Sequence, residues 1–422
     1  MRPRMKTSKP TTTRIIVVAV AVVVALAVMT ATASAARIID APNTEPKFMM
    51  HSTLTKLMHS YVDAARASPV STWLFGEREH PAVRRAKALT RDATKLKAAF
   101  EEFLDAFDKR AEYAEKTAEE YARRVEVFGE NMLRAATQQA NDRGSASHGV
   151  TMFSDLTPEE FAERYLGHVK MASEERAKYR ETRGVAPKLP TKKLPEEFDW
   201  RFKGAVTRVK DQGMCGSCWT FSTTGAIEGA HYIATGKLVE LSEQQLVDCD
   251  VGCDPDIPNA CDSGCNGGLP SNAMEYIIEH GGVDTEKSYP YVGEKGECKA
   301  SRGKVGATLS NFSFVDNDEE QIAAALVEYG PLSIGINAAW MQSYIGGVAC
   351  PWLCDTEALD HGVLIVGYGS SGFAPVRWAP EPYWIIKNSW SPAWGEGGYY
   401  RICKDKGSCG VNNMVVAAHG VR

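Results

Sequence analysis

The stretch Gln212-Gly213-Met214-Cys215-Gly216-Ser217-Cys218-Trp219-Thr220-Phe221-Ser222 decides how the rest of the chain is read. Trp219, Phe221, Ala226, Ile227, Ala230 and Ile233 recur at helical spacing, and Gly236 supplies a stop. Cys218 therefore opens an amphipathic helix. A thiol at a helix N-terminus feels the positive end of the macrodipole, which favours its thiolate. Gln212 brings a side-chain amide to the same place.

A thiolate nucleophile needs a proton carrier close by. The candidate is His361, in Leu359-Asp360-His361-Gly362-Val363-Leu364-Ile365-Val366-Gly367-Tyr368-Gly369, at the head of an apolar run that reads as a buried strand. Asn388, in Tyr383-Trp384-Ile385-Ile386-Lys387-Asn388-Ser389-Trp390, ends a second apolar strand. Its side-chain carbonyl can hold an imidazole ring, and Trp390 can shield that bond from water. Taken singly these are weak signals. A histidine beside a strand is more often structural, and a buried asparagine usually satisfies backbone.

The remaining sequence supplies context. Its 422 residues exceed one compact domain, with an ordinary globular content of 44% apolar and 24% charged residues. The net charge of −5 hides an asymmetry. Residues 194–422 hold 16 Lys+Arg against 29 Asp+Glu, and residues 1–193 hold 32 against 24. A basic front part before an acidic rear part suggests two pieces that attract each other. No basic footprint for nucleic acid is present, which excludes that class. All eleven cysteines follow residue 214, and an odd count reads as a disulfide framework plus one free thiol. Disulfides belong to oxidising compartments. The N-terminus agrees: Arg2, Arg4, Lys6, Lys9 and Arg14 precede an apolar run from Ile15 to Met29, then Ala33-Ser34-Ala35. Residues 1–35 read as a cleaved signal peptide, the run being short of the ~20 residues that span a bilayer.

Residues 36–99 carry no assignable chemistry. From Phe100, apolar residues Phe103, Leu104 and Phe107 repeat at helical spacing. Glu120, Arg124, Phe128, Asn131, Ala135 and Gln139 then share one face of a helix, within an arc of roughly 100°. Gly149-Val150-Thr151-Met152-Phe153-Ser154-Asp155 follows. Thr157 and Pro158 cap and start another helix. Residues 166–193 are rich in Lys, Arg and Glu, with Pro187 and Pro190 and no obvious core, and read as an exposed processing linker.

The helix face of Glu120 to Gln139 matches the ERFNAQ signature of papain-like cysteine protease propeptides. Residues 149–155 resemble that family's second propeptide motif, with Thr151 where many members have Asn. Cys218, His361 and Asn388, in this order, closely resemble its Cys-His-Asn constellation. The similarity covers about 100–422 and is nearest to the cathepsin F-type and plant dehydration-responsive branches. The segment from Cys249 to Gly268, and Ile345 to Val348 followed by Cys350 and Cys354, are most like the plant enzymes. One departure is Ser391, where the family usually has Gly.

The resemblance implies an α+β papain-like fold: a helical lobe from about 195 to 310, an antiparallel barrel-like lobe from about 311 to 405, a cleft between them, and a tail after Cys409 that crosses back. A helical inhibitory propeptide over 100–165 precedes the peptidase domain, 194–422. It makes Cys218 the nucleophile, His361 the acid/base partner, Asn388 the orienter and Gln212 the oxyanion donor. The Cys218–His361 pair would rest as thiolate and imidazolium. Gly267 and Gly268 would lie along substrate backbone, with Leu269, Pro270, Gly335, Leu359 and Met414 lining an apolar S2 pocket; simple core packing is the bland reading of the same residues. Implied bridges are Cys215–Cys265, Cys249–Cys298 and Cys354–Cys409, which leave Cys253–Cys261 and Cys350–Cys403. Spacing alone would also allow metal ligation by Cys261/Cys265 or Cys350/Cys354, but the resemblance implies neither metal nor cofactor. Asn311-Phe312-Ser313 is the one glycosylation sequon.

Expected partners are protein and peptide substrates, the chain's own propeptide and cystatin-like inhibitors, for a monomeric mature enzyme that is secreted or lysosomal/vacuolar. An inactive homologue acting as a binding protein, and a free propeptide acting as an inhibitor, are the other functional readings.

Overall fold

The computed structural model describes residues 79–422 except 168–170, 256, 258–259, 301–303 and 375–378. The signal-peptide reading of 1–35 and most of 36–99 lie outside the described residues. The front part holds helices α1 (Pro81–Thr90), α2 (Ala93–Ala106), α3 (Arg110–Ala114) and α4 (Ala118–Asn141), strand β1 (Ser147–His148), α5 (Pro158–Tyr165) and α6 (Ser173–Arg183). Strand β2 (Phe198–Asp199) leads to α7 (Cys218–Thr235), α8 (Glu243–Cys249), α9 (Pro270–His280), β3 (Val283–Asp284) and β4 (Val305–Ala307). Then come β5 (Asn311–Phe314), α10 (Glu319–Tyr329), β6 (Leu332–Ile336), β7 (Tyr344–Gly346), β8 (Val348–Ala349), β9 (His361–Ala374), β10 (Ala379–Lys387), β11 (Tyr399–Cys403) and β12 (Val415–His419). Among the described residues no helix is long and apolar enough to cross a membrane.

The main sheet runs β5-β12-β6-β9-β10-β11-β8, antiparallel except for the β11–β8 pair. Its pairing puts Ile336 opposite His361 and Lys387 opposite Leu364, so the head of β9 and the end of β10 meet at one place. One assignment shifts, and the crossing tail takes a defined place. Phe198 and Asp199, expected in the helical lobe, pair with Tyr368 and Gly367 of β9. The tail after Cys409 becomes an interior strand of the sheet, β12 between β5 and β6, and ends against Thr308.

Helix α7 differs from its amphipathic expectation. Every residue from Cys218 to His231 is buried, while Ile233 is 43% exposed. The helix is enclosed on all sides because it lies between lobes: Trp219, Ala226 and Ile227 pack in the helical core, Gly225 against Leu364 of β9, and Gly229 against Pro331. Gly236 ends it at φ +72°, the left-handed conformation a glycine C-cap supplies.

The front part folds around α4, which explains the residue pattern on its face. Arg124 bonds Glu120 (2.8 Å), both oxygens of Glu160 (2.6 and 2.9 Å) and the Asp155 carbonyl (3.0 Å). Asn131 donates to the carbonyls of Ser154 and Leu156, both at 2.8 Å. Gln139 donates to the Ala146 carbonyl and accepts from the His148 N–H. Phe128 closes an aromatic cluster with Phe100 and Phe103, and Ala135 is fully buried. The face thus ties α4 to residues 146–160. Helix α5 opens with the expected Thr157 cap, completed by Glu160 as a capping box. This core starts upstream of Phe100, because Ala82 and Ala86 of α1 pack on Ala136 of α4.

Of residues 166–193, expected as an exposed linker, part of the described chain is docked. This part includes α6, whose Tyr179 and Arg176 are buried against the rear part. Polar composition concealed this because the docking contacts are themselves polar.

Candidate active site

Cys218 sits at the first turn of α7, fully buried, and is the one free thiol among the described cysteines. The Gly362 N–H donates to its Sγ at 3.2 Å. His361, also fully buried, heads β9 beside it; its Nε2 lies 2.8 Å from Asn388 Oδ1. The Trp390 ring stacks on the imidazole with centroids 4.5 Å apart. Gln212 is fixed from three sides: its N–H donates to the Ser389 carbonyl (2.9 Å), its Oε1 accepts from Ser389 Oγ (2.6 Å), and its Nε2 donates to the Cys215 carbonyl (2.8 Å). A thiol, an oriented imidazole and an amide donor are thereby assembled from both lobes.

The site is covered. The chain leaving α5 crosses it: Gln212 Nε2 donates to the Tyr165 carbonyl (3.0 Å), and the Gly268 N–H donates to the Gly167 carbonyl (2.9 Å). Gly167 is squeezed so tightly that a Cβ there would overlap the Gly216 carbonyl. Burial pushes the Cys218 thiol up to about 12, only partly offset by backbone N–H groups of Gly362 and Gly167. In this covered form burial therefore favours the neutral thiol over the thiolate expected of the open site.

The other anticipated residues fall around the crossing segment. Leu269, Leu359 and Met414 belong to one buried apolar cluster, of which Met171 is also a member. The Gly335 N–H donates to the Met414 carbonyl, and Pro270 opens α9. Gly267 faces the Gly167 carbonyl, and a Cβ on Gly268 would strike the Trp219 ring. Cysteines pair as 215–265, 249–298, 253–261, 350–403 and 354–409, which uses all four cysteines of the two metal readings. Asn311 is exposed at the start of β5.

Two groups escaped the sequence reading. Behind Asn388 a buried charge cluster joins the lobes: Lys210 reaches Glu228 (2.8 Å) and Glu243 (2.6 Å), and Lys387 donates to Thr207 (2.8 Å). Burial pushes Glu243 up to about 7 and Lys387 down to about 8. These residues are scattered in sequence, so no local signal exists. The second group is on α6. Arg176, Tyr179, Arg180 and Arg183 lie on one helix face, a spacing visible in the sequence but masked by the linker-like composition.

Comparison with known proteins matches residues 194–419 to the family described as papain family cysteine protease, and residues 100–161 to the cathepsin propeptide inhibitor domain (I29). The chain is 58% identical over 299 residues to Cysteine proteinase 15A of Pisum sativum, covering 71% of this chain and 81% of that protein. It is 42% identical to Cathepsin F of Mus musculus, covering 77% and 65% respectively. Among solved structures, digestive procathepsin L2 proteinase from Tenebrio molitor larval midgut aligns with a TM-score of 0.64 at 31% identity, covering 76% of this chain and 99% of that one. The recombinant stem bromelain precursor aligns at 0.60 and 30%, covering 76% and 98%.

Proposed function

We propose, from the premise that this chain belongs to the papain family of cysteine proteases and is made as a proenzyme with an I29 propeptide, that Cys218, His361, Asn388 and Gln212 are its catalytic residues and Trp390 the shield of the His–Asn bond. The observation that carries this is the His361–Asn388 bond beneath Trp390, beside the one free cysteine at a helix N-terminus.

Once the prosegment leaves, solvent and the helix dipole lower the thiol's pKa and His361 takes its proton. The Cys218 thiolate attacks a peptide carbonyl. Gln212 Nε2, which donates to the Tyr165 carbonyl in the covered form, and the Cys218 N–H receive the oxyanion; one such donor is typically worth about 2.7–4 kcal/mol of barrier. His361 gives its proton to the leaving amine, leaving a thioester. Neutral His361 then takes a proton from water as it attacks, and the acid is released. Apolar Leu269, Leu359 and Met414, which share a buried cluster with Met171, support an S2 pocket that takes Leu, Val or Phe.

The mature domain is read as starting near Leu194, and as a monomer open to cystatin-like inhibitors. Its five bridges support the secretory pathway, with a lysosomal, vacuolar or extracellular destination.

In the test, processed enzyme and Cys218→Ala are assayed on a fluorogenic P2 panel. Turnover should vanish in the variant, and Leu, Val or Phe should exceed Arg at P2. Surviving turnover sinks the nucleophile, and Arg preference sinks the pocket. No turnover and no labelling of Cys218 by a thiol-directed epoxide in the wild type would instead indicate an inactive binding homologue.

A further inference from the structure

Helix α6 is held by residues that take no part in the chemistry. Tyr179 is fully buried, its hydroxyl 2.7 Å from Ser271 Oγ and 2.6 Å from Asn272 Oδ1. Its ring meets Phe314 edge-on, with centroids 5.8 Å apart. The Arg183 guanidinium lies 3.9 Å from the Tyr179 ring centroid and pairs with Asp254 and with Glu275, the latter at 3.0 Å. All five partners belong to the rear part. Ser271, Asn272 and Glu275 are on α9, Phe314 is on β5, and Asp254 sits in the loop closed by Cys253–Cys261. A helix and a sheet strand are rigid supports, so the slot outlasts the helix that fills it.

We propose that this slot is a peptide-binding site of the mature enzyme, separate from the catalytic cleft, for a helical segment presenting a tyrosine with an arginine four residues later. The chemistry is specific in two ways. The slot offers the phenol hydroxyl both a side-chain hydroxyl and an amide oxygen, so phenylalanine leaves them without that partner. Its carboxylate rim selects a cation one helical turn further on. Because Ser271 and Asn272 directly follow Leu269 and Pro270, a segment bound here continues from the cleft's apolar end. A protein substrate can thus be held at two points.

The proposal rests on the proenzyme reading only in that processing vacates the slot. Its test needs no turnover. Full chain is processed, Cys218 is alkylated with iodoacetamide, and binding of a fluorescent peptide spanning residues 172–186 is followed by anisotropy. A lactam between Glu174 and Lys178, both exposed and four apart, holds the peptide helical. Saturable binding is expected. It should weaken about tenfold for the Tyr179→Phe peptide, and likewise for Arg183→Ala or for Glu275→Ala in the enzyme. Equal affinity of the three peptides, or no binding of the bridged parent peptide, overturns the proposal. Failure of the nucleophile assignment would leave these affinities unchanged.

Discussion

Ser391 holds φ +67° directly after Trp390, in the left-handed region that a side chain makes costly. Its N–H donates to the Lys210 carbonyl, so the loop cannot relax without losing that bond. The strain is worth about 1–2 kcal/mol, while glycine's extra freedom in the unfolded chain costs about 0.4–1 kcal/mol. Ser391→Gly should therefore stabilise the mature enzyme by roughly 0.5–1 kcal/mol, a rise in Tm of about 1–4 °C, with kcat unchanged. Calorimetry and steady-state assays check this. The sequence shows the departure at Ser391; only the backbone angle shows what it costs. Cys218 gives the converse lesson. Its place at a helix N-terminus is legible, but its protonation state is not, because burial beneath residues 165–167 comes from chain far upstream.

At the scale of elements, the crossing segment depends on Gly167. A Cβ there meets the Gly216 backbone, which has no side chain to swing away. Gly167→Val should lift the segment from the thiol while leaving Cys218, His361, Asn388 and Gln212 unsubstituted. Alkylation of Cys218 in the unprocessed chain, followed by mass spectrometry, should accelerate at least tenfold, the effect of about 1.4 kcal/mol of lost coverage. An unchanged rate would show that the segment is held elsewhere. The elements that read well from sequence have local causes. Thr157 and Glu160 cap a helix, Gly236 ends one, and the α4 face repeats at helical period. Those that read poorly are defined by partners far along the chain. Tyr179 and the α6 arginines look like solvated charge until Ser271, Phe314 and Glu275 are placed against them, and β12 looks like a tail until β5 and β6 flank it.

Across the whole molecule, the basic front and acidic rear meet in ion pairs: Arg176 with Glu357, Arg183 with Asp254 and Glu275, and Lys188 with Asp316. Within the front part, hydrogen bonding to Arg124 holds Glu160 below its ordinary 4.5; at the junction, the Asp318 N–H and Lys188 hold Asp316 below 3.8. Carboxylates lowered in the folded state stabilise it at neutral pH, and that contribution disappears as pH falls below about 4.5 through their folded values. Glu243 has the opposite sign: raised to about 7, it favours the folded enzyme increasingly as pH drops from 7 toward 4.5. Acid should thus loosen the prosegment. Processing should speed up as pH falls below about 4.5, and Glu160→Gln should process faster than the parent at pH 7; a flat profile through that window would contradict this.

The chain between the two parts is pinned on both sides of the proposed cut near Leu194. Ala186 donates to the Phe314 carbonyl and Leu189 pairs with Gln321, while the Tyr368 hydroxyl holds the Pro195 carbonyl and β2 lies along β9. A single scission between these anchors removes a tether and leaves the anchoring contacts in place. What it removes is effective concentration: a mask that was intramolecular becomes a dissociable ligand. Activity after the cut would then be set by total protein concentration, low where nicked molecules are crowded and released by dilution or by digestion of the freed mask.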